Sequence, residues 1–284
     1  MWKSISASCG GERQSPIDII TKDASLRSYD ESNLTFVGYD KEMTGLGVRN
    51  NGHTVVVDIG DDYDVRIYGE DLPSWYRLLQ FHFHWSEDDD NGSEHAVNGK
   101  HYPMEVHFVH TKEGMGQEEA LKTDDGLAVV SVFFEFVDEE NSALDTFVNK
   151  QLLDIRYKGT KSKTRYAAAL DPLTPMDRRK YYRYEGSLTT PACNENVIWT
   201  VLANPGAISK KQLVSLRNEI HQVTRKEITK VSHARLMANI RPVQDLNSRT
   251  VYYIDPENPP SAAIIISPWQ SAFILPLLFA ALLR

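Results

Sequence analysis

Two histidines two residues apart could bind one metal ion. His82 and His84 lie in a run of aromatic and apolar residues that is typical of a β-strand. Because side chains alternate between the two faces of a strand, both imidazoles and Gln80 point to one face. A second strand candidate carries His107 on the same face as Glu105. If these strands are neighbours, three imidazoles converge, and three neutral nitrogen ligands with a fourth position open are typical of a catalytic zinc site.

The polar neighbours of these histidines fit the same hypothesis. A histidine that binds a metal through one ring nitrogen usually donates a hydrogen bond from the other. Gln80 and Glu105 could each accept such a bond, and a carboxylate on a buried strand face otherwise has little justification. The alternative is a set of hydrogen-bonded core histidines without a metal, the commoner role of a single histidine on a strand.

The elements that carry these residues are mainly short strands separated by turn residues. A helix is predicted over residues 210–217, an amphipathic run after Ser209, which is a good N-cap residue. Residues 141–151 could form a second helix. The fold class is therefore mainly β (α+β). Runs rich in β-branched and aromatic residues predict strands over residues 54–59, 78–85, 104–110, 127–136 and 197–202.

Length and charge limit the possible functions. The chain has 284 residues and a formal net charge of −8. This length can bury one sizeable core, and the negative charge argues against nucleic acid as a partner. Because no repeat or linker precedes the proline-rich stretch near Asn258, we predict one catalytic domain over residues 9–255 and a stalk over residues 256–263.

The two ends of the chain bear on its location. Residues 264–284 are mostly apolar, but Pro268 and Pro276 interrupt the run, whereas a spanning helix needs about 20 apolar residues. Small residues before a short hydrophobic end indicate a GPI anchor, with Ser261 as the candidate attachment site and removal of the tail. A single spanning helix is the alternative. Residues 1–8 have no apolar stretch of a signal peptide, so we expect a remnant whose true beginning is missing.

The cysteines and sequons leave two compartments open. Cys9 and Cys193 are the two cysteines. They could be free thiols of a cytosolic protein or could form a long-range disulfide in an oxidising compartment. Candidate glycosylation sites at Asn33 and Asn91 fit a secreted protein.

An ordered set of motifs gives the chain a specific resemblance to one family. The motifs, in chain order, are Gln14-Ser15-Pro16-Ile17-Asp18-Ile19, Asn50-Asn51-Gly52-His53, Gln80-Phe81-His82-Phe83-His84-Trp85, Gly92-Ser93-Glu94-His95, Glu105-Val106-His107-Phe108-Val109-His110 and Ser187-Leu188-Thr189-Thr190-Pro191. Over about residues 9–253 the chain resembles the α-class carbonic anhydrases. With its apolar tail it is similar to their extracellular, GPI-anchored branch, at the outer face of the plasma membrane.

The resemblance implies a fold and an activity. The fold is a large, mostly antiparallel twisted β-sheet with a few short peripheral helices and a conical active-site cleft. The activity is the reversible hydration of carbon dioxide to bicarbonate and a proton by zinc-bound hydroxide. The cofactor is one Zn²⁺ held by His82, His84 and His107, the partners are small molecules and a lipid anchor, and the enzyme is a monomer.

The resemblance also implies roles for residues around the zinc. Thr189 accepts a hydrogen bond from the zinc-bound hydroxide and donates its own proton to Glu94. Thr190 helps to position bicarbonate. His53 shuttles protons to bulk buffer, a role that suits an imidazole side chain, and Asn51 orders the intervening water.

Two further features follow from the same resemblance. Carbon dioxide needs an apolar wall, although the residues proposed for it would equally suit a core. A disulfide between Cys9 and Cys193, as in secreted and membrane-bound members, would brace the loop that carries Thr189 and Thr190. The residues of the wall are Val109, Val129, Leu188, Val197 and Trp199.

Two other classes of function compete with this hypothesis. A catalytically silent family member could act as a cell-surface binding module, but silent members lack zinc histidines that are present here. An unrelated metallohydrolase usually carries a His-Glu-x-x-His motif, which this sequence lacks. The sequence departs from the family at its N-terminal aromatic cluster and at Pro191-Ala192, where a second proline is common.

Overall fold

The structure is a computed structural model that describes residues 4, 6–27, 34–69 and 71–257. Asn33, Ser261, the stalk beyond Glu257 and the apolar tail over residues 264–284 lie outside these residues. The described strands are β1 (Asp18–Ile19), β2 (Ser25–Arg27), β3 (Thr35–Val37), β4 (Gly47–Asn50), β5 (Val55–Asp58), β6 (Arg66–Tyr68), β7 (Tyr76–Trp85), β8 (Ala96–Val97), β9 (Met104–Lys112), β10 (Leu127–Val137), β11 (Lys161–Lys163), β12 (Tyr181–Gly186), β13 (Val197–Leu202), β14 (Gly206–Ser209) and β15 (Tyr252–Ile254). The described α-helices are α1 (Gln117–Ala120), α2 (Ser142–Phe147) and α3 (Lys210–Glu219).

Most of the described strands join one large sheet. Among the residues described, this sheet has 13 strands, and its main path runs β11-β4-β5-β7-β9-β10-β13-β12-β15-β2. Within it β10 pairs in parallel with β13 and β14, and β15 pairs in parallel with β2, whereas its other described pairings are antiparallel. The prediction of a mainly β fold on a mostly antiparallel sheet is confirmed.

The strands predicted from the sequence are all present, with small shifts at their ends. Residues 197–202 match β13 at both ends, and the two histidine strands extend to Tyr76–Trp85 and Met104–Lys112. Long β-branched and aromatic runs make these elements easy to predict.

The two predicted helices differ in outcome. Helix α3 begins after Ser209, whose hydroxyl accepts from the backbone N–H of Gln212 while the Gln212 side chain accepts from the backbone of Ser209, a reciprocal cap. The predicted helix over residues 141–151 is shorter than expected. Asn141 caps α2, but the backbone of Val148 leaves the helical range at φ −123°, and a 3-10 turn follows over Asn149–Gln151.

The central strands separate two apolar clusters. Phe81, Phe83 and Trp85 of β7 pack into the larger cluster. Val109 and Trp199 belong to a smaller cluster on the opposite face. We call the face that carries this smaller cluster and the histidines the histidine face.

A disulfide ties the N-terminal segment to the loop after β12. Cys9 and Cys193 are bonded, with their Cα atoms 5.0 Å apart, and both residues are buried. The predicted disulfide is confirmed, so neither cysteine is a free thiol. Among the described residues, no helix combines the length and the apolar character that crossing a membrane requires.

Candidate metal centre

The register of β7 and β9 brings the three histidines together. The strands are antiparallel, with His82 directly opposite His107 and His84 opposite Glu105. One ring nitrogen from each of His82, His84 and His107 lies within 4.8 Å of the others. The structure thus places the predicted ligand set in one cluster, in which His84 and His107 are buried and His82 is half-buried.

Each ring is oriented by an oxygen acceptor at its outer nitrogen. Nδ1 of His82 lies 3.0 Å from Oε1 of Gln80, and Nε2 of His107 lies 2.6 Å from Oε1 of Glu105. Nδ1 of His84 lies 2.9 Å from the backbone carbonyl oxygen of Asn239. Because these oxygens accept hydrogen bonds, the outer nitrogens donate, and the inner nitrogen of each neutral ring keeps its lone pair.

Burial keeps the rings in the neutral state that a metal requires. Burial lowers the pKa of His82 well below its usual value, and the proximity of the His84 and His107 rings lowers it further. Burial also lowers the pKa of His84 and of His107. Nε2 of His84 is buried and has no hydrogen-bond partner among the described residues. A buried, unpaired lone pair facing two others is the arrangement that zinc satisfies, so this donor set fits the metal.

Glu105 forms the centre of a buried hydrogen-bond network behind His107. Its Oε1 accepts from Nδ1 of His95 at 2.7 Å and from the hydroxyl of Ser131 at 2.6 Å, and its Oε2 accepts from the backbone N–H of His95 at 2.8 Å. Nε2 of His95 lies 2.7 Å from the hydroxyl of Tyr184. Burial raises the pKa of Glu105, but the adjacent rings of His95 and His107 and their hydrogen bonds lower it well below its usual range. An ionised Glu105 therefore fixes both rings.

Glu94 lies on the inner side of the histidine cluster. Its Oε2 is 3.5 Å from Nε2 of His84 and 3.9 Å from Nδ1 of His107, and its Oε1 accepts from the backbone N–H of Arg241 at 2.8 Å. Burial raises the pKa of Glu94 to about 7, against the lowering effects of His107 and of a hydrogen bond from Thr189. The Glu94 carboxylate thus lies beside the ligand nitrogens, and Thr189 is close enough to lower its pKa.

The loop that bears Thr189 and Thr190 is short and is held by backbone hydrogen bonds between its own residues. Thr189 is buried, whereas Thr190 is exposed. The backbone N–H of Cys193 donates to the carbonyl oxygen of Thr190 at 2.8 Å. The backbone N–H of Leu188 donates to the carbonyl oxygen of Asn194 at 3.0 Å. The disulfide therefore holds the end of the same turn that positions the two threonines.

The five residues predicted for an apolar wall lie in one cluster on the histidine face. Val109, Val129 and Trp199 are direct cross-strand neighbours on β9, β10 and β13. Val197 is buried in the same cluster, and the half-buried Leu188 packs against it. His107 and Val109 lie on the same face of β9, so the cluster begins beside the histidines.

His53 lies at the surface on a turn that joins β4 to β5. Its side chain is exposed. Oδ1 of Asn51 accepts from the backbone N–H groups of His53 and Thr54, both at 2.8 Å, so the Asn51 side chain shapes the turn itself. Asn239 donates from Nδ2 to the carbonyl oxygen of His53 at 2.9 Å. One residue thus contacts both the His53 turn and the outer nitrogen of His84.

Several residues of the site were not predicted from the sequence. Asn239 contacts His84 and Arg241 contacts Glu94 through backbone atoms in a segment without regular structure, so their side-chain types gave no signal of these two contacts. Ser131 lies directly opposite His107 on β10. A polar residue in the middle of an apolar strand was the available signal there. His95 is buried between Glu105 and Tyr184 and serves as a structural hydrogen-bonding residue.

The fold is a mostly antiparallel sheet, and three of its histidines are placed so that they could hold a metal ion. The family model for eukaryotic-type carbonic anhydrase matches residues 1–255. The chain is 35% identical to carbonic anhydrase 4 of Rattus norvegicus over 86% of its length and 76% of the relative, and 36% identical to carbonic anhydrase 4 of Oryctolagus cuniculus over the same shares. It is 39% identical to carbonic anhydrase 7 of Homo sapiens over 88% of its length and 91% of the relative.

The chain belongs to the eukaryotic-type carbonic anhydrases. It is therefore an enzyme, and carbon dioxide hydration is the activity of its family. The resemblance inferred from the six motifs is confirmed.

Proposed function

We propose that the chain hydrates carbon dioxide reversibly with one zinc ion held by His82, His84 and His107. The observation that carries this proposal is the set of three inner nitrogens within 4.8 Å of one another, each on a ring whose outer nitrogen has an acceptor. Zinc bound there would lower the pKa of a coordinated water to about 7 and so supply a nucleophile at neutral pH.

Thr189 and Glu94 orient the reacting water in this proposal. The pair is supported by the buried position of both side chains and by the proximity of Glu94 to His84 and His107. A threonine hydroxyl that donates to a carboxylate can use its oxygen only to accept. Thr189 therefore accepts the O–H of the water and turns a lone pair toward the substrate, a contribution of orientation.

The substrate would lie against the apolar wall formed by Val109, Val129, Leu188, Val197 and Trp199. Carbon dioxide is apolar, and this cluster begins next to His107. The exposed Thr190 would position bicarbonate as it leaves. The cleft shape expected for the family is part of this proposal.

His53 would carry the released proton to solvent. Its exposed side chain and the link of its turn to His84 through Asn239 support this role. In His53→Ala the rate of carbon dioxide hydration should become limited by proton transfer to the buffer. A high concentration of imidazole buffer should restore the rate. Equal rates for both proteins at low buffer concentration would exclude the role.

The enzyme would act outside the cell. The Cys9–Cys193 disulfide indicates an oxidising compartment, and Asn91 is exposed, as a glycosylated residue must be. The apolar tail with Ser261 supports a GPI anchor, and the monomeric state is part of the proposal. Release of the full chain from the surface of expressing cells by a phosphatidylinositol-specific phospholipase would support the anchor, whereas retention would favour a spanning helix.

Stopped-flow carbon dioxide hydration tests the proposed chemistry. The zinc-loaded protein should be active, His107→Ala should be inactive, and His233→Ala should match the parent, because His233 is exposed and lies outside the histidine cluster. A folded, zinc-loaded parent without hydration activity would contradict the proposal and favour the silent binding module.

A further inference from the structure

One stretch of the chain differs in charge from the rest. The chain as a whole has a formal net charge of −8, yet residues 155–170 contain five basic residues and no acidic residue. Lysine- and arginine-rich stretches are typical of surfaces that bind nucleic acid or sulfated polysaccharide. The five basic residues are Arg156, Lys158, Lys161, Lys163 and Arg165.

The three lysines of this stretch are a surplus of positive charge. Lys158, Lys161 and Lys163 are exposed, and none of them forms an ion pair with a carboxylate of the described residues. Glu227 lies near Lys158, but it lies near Lys230 as well. The arginines around the lysines already pair with carboxylates, in the pairs Arg49–Asp58, Arg165–Asp154 and Arg156–Glu219.

The lysines follow one edge of the molecule. Lys161 and Lys163 lie on β11, which ends the main path of the large sheet. Lys161 is the cross-strand neighbour of Arg49 on β4, and both lysines line a depression of about 360 Å³ with Arg49. The side chain of Lys158 packs across Gly52 in the turn after β4. We call Lys158, Lys161, Lys163 and Arg49 the basic edge.

The backbone of β11 adds hydrogen-bond donors to the basic edge. The carbonyl oxygen of Thr160 accepts from the N–H of Asn50 at 3.1 Å, and the N–H of Thr164 donates to Leu46 at 2.9 Å. Because alternate residues of an antiparallel pair face opposite ways, the backbone groups of the two lysines between these threonines point away from β4. No described strand pairs with them on that side. A sulfate group could therefore accept from an ammonium group and from a backbone N–H.

These features favour a flexible polyanion over an added peptide strand. Lysines on a short edge strand are a common device against pairing with another strand. Sulfate groups on a sugar chain require only positive charge and donors, and the basic edge offers both. The choice of a polysaccharide over nucleic acid rests on the extracellular location proposed above.

The position of the basic edge argues against the membrane as its partner. Strands β11 and β15 lie eight strand spacings apart on the main path, which is roughly 38 Å along the sheet. Four residues lead from Glu257, just after β15, to Ser261, and they span at most about 14 Å. An anchor at Ser261 would therefore hold the β15 end of the sheet near the bilayer, with the basic edge at the far end.

We propose that the basic edge binds a sulfated polysaccharide of the cell surface or the extracellular matrix. The sulfate groups contact the ammonium groups of Lys158, Lys161 and Lys163 and the outward N–H groups of β11. The negative net charge of the chain does not prevent this contact, because charges are screened beyond about 8 Å at physiological ionic strength and the local surplus decides.

Binding of the zinc-loaded full chain to immobilised heparin, measured by surface plasmon resonance, tests the proposal. The affinity should fall roughly 20-fold between about 50 and 200 mM salt, as expected when three lysines displace counterions from a single-stranded polyanion. Lys161→Gln/Lys163→Gln should bind about tenfold more weakly than the parent at low salt, whereas Lys161→Arg/Lys163→Arg should keep the affinity. The control Lys22→Gln/Lys122→Gln makes the same charge change at exposed lysines outside the basic edge and should bind like the parent.

Three results would overturn the proposal. The first is equal affinity of Lys161→Gln/Lys163→Gln and the control variant, and the second is loss of binding in the arginine variant, since charge would then not be the determinant. The third is equal binding to desulfated heparin, or stronger binding to phosphatidylserine vesicles, which would identify an anionic lipid surface instead. Each of these results would leave the proposed extracellular location standing, because phospholipase release tests that location separately.

Discussion

Oε1 of Glu105 accepts a hydrogen bond from Nε2 of His107 at 2.6 Å. The same oxygen accepts from His95 and Ser131, so the ring of His107 is held by a carboxylate that is itself fixed on two sides. This arrangement sets which nitrogen of His107 faces the ligand cluster, and so it bears on metal affinity.

Replacing Glu105 should weaken zinc binding. In Glu105→Gln the amide no longer provides a charged acceptor for both rings, and the loss of such a partner typically costs about 10–100-fold in affinity. Competition with a chelating dye measures this change. Glu135→Gln is the control, since Glu135 is an exposed carboxylate on the neighbouring strand. Equal zinc affinity of Glu105→Gln and the parent would contradict the role given to this carboxylate.

Asn239 should matter for both stability and zinc affinity. Its side chain accepts from the backbone N–H of Trp85 at 2.7 Å and donates to the carbonyl oxygens of His53 and Phe83. Asn239→Ala leaves these groups unpaired, so the free energy of unfolding should fall by about 1–3 kcal/mol. Urea denaturation measures this. Asn204→Ala removes one side-chain bond, to the carbonyl oxygen of Asp177, and should leave zinc affinity unchanged. A loss of zinc affinity in Asn204→Ala equal to that in Asn239→Ala would argue against a local effect of Asn239.

The disulfide should stabilise the folded chain. It joins residues 184 positions apart, and removing a native disulfide typically costs about 2–5 kcal/mol. The paired variant Cys9→Ser/Cys193→Ser should unfold at lower urea and lose activity, because the turn after Thr190 ends at Cys193. A reducing agent should lower the stability of the parent toward urea and leave the stability of this variant unchanged. Parent stability that does not respond to reduction would contradict the prediction.

Stability should fall below neutral pH, in part through His110. Burial lowers the pKa of His110 to about 3, against hydrogen bonds that raise it, and its Nε2 lies 2.9 Å from the hydroxyl of Tyr39. The unfolded chain takes up a proton near pH 6.5 and the folded chain only near pH 3, so stability is lost as the pH falls between these values. His110→Gln should reduce the slope of unfolding free energy near pH 5 by about 1.4 kcal/mol per pH unit. An unchanged slope would show that His110 is protonated in the folded state.

The sequence predicted which face of its strand each site residue occupies, but not which strands lie next to each other. Alternation along β7 correctly assigned Gln80, His82 and His84 to one face of that strand, and alternation along β9 correctly put Glu105 and His107 on a common face, because a strand has a fixed period of two. That the two strands are adjacent, with His82 opposite His107, depended on long-range pairing that periodicity does not encode. The family motifs supplied that information.

What the sequence missed depends on backbone atoms and on irregular segments. Asn239 contributes a carbonyl oxygen that every residue type carries, so its identity gave no hint of contact with His84. Likewise α2 ends at Phe147 because of the backbone conformation of Val148, whereas the helix predicted from the sequence continued past this residue.

X-ray absorption at the zinc edge of the fully loaded protein tests the central claim most directly. We expect one zinc per chain with three imidazole nitrogens at about 2.0–2.1 Å and one further light-atom ligand that exchanges with solvent anions. His82→Ala should lose one imidazole from this shell. Four protein ligands with no exchangeable position, or an unchanged shell in His82→Ala, would contradict the proposed catalytic site.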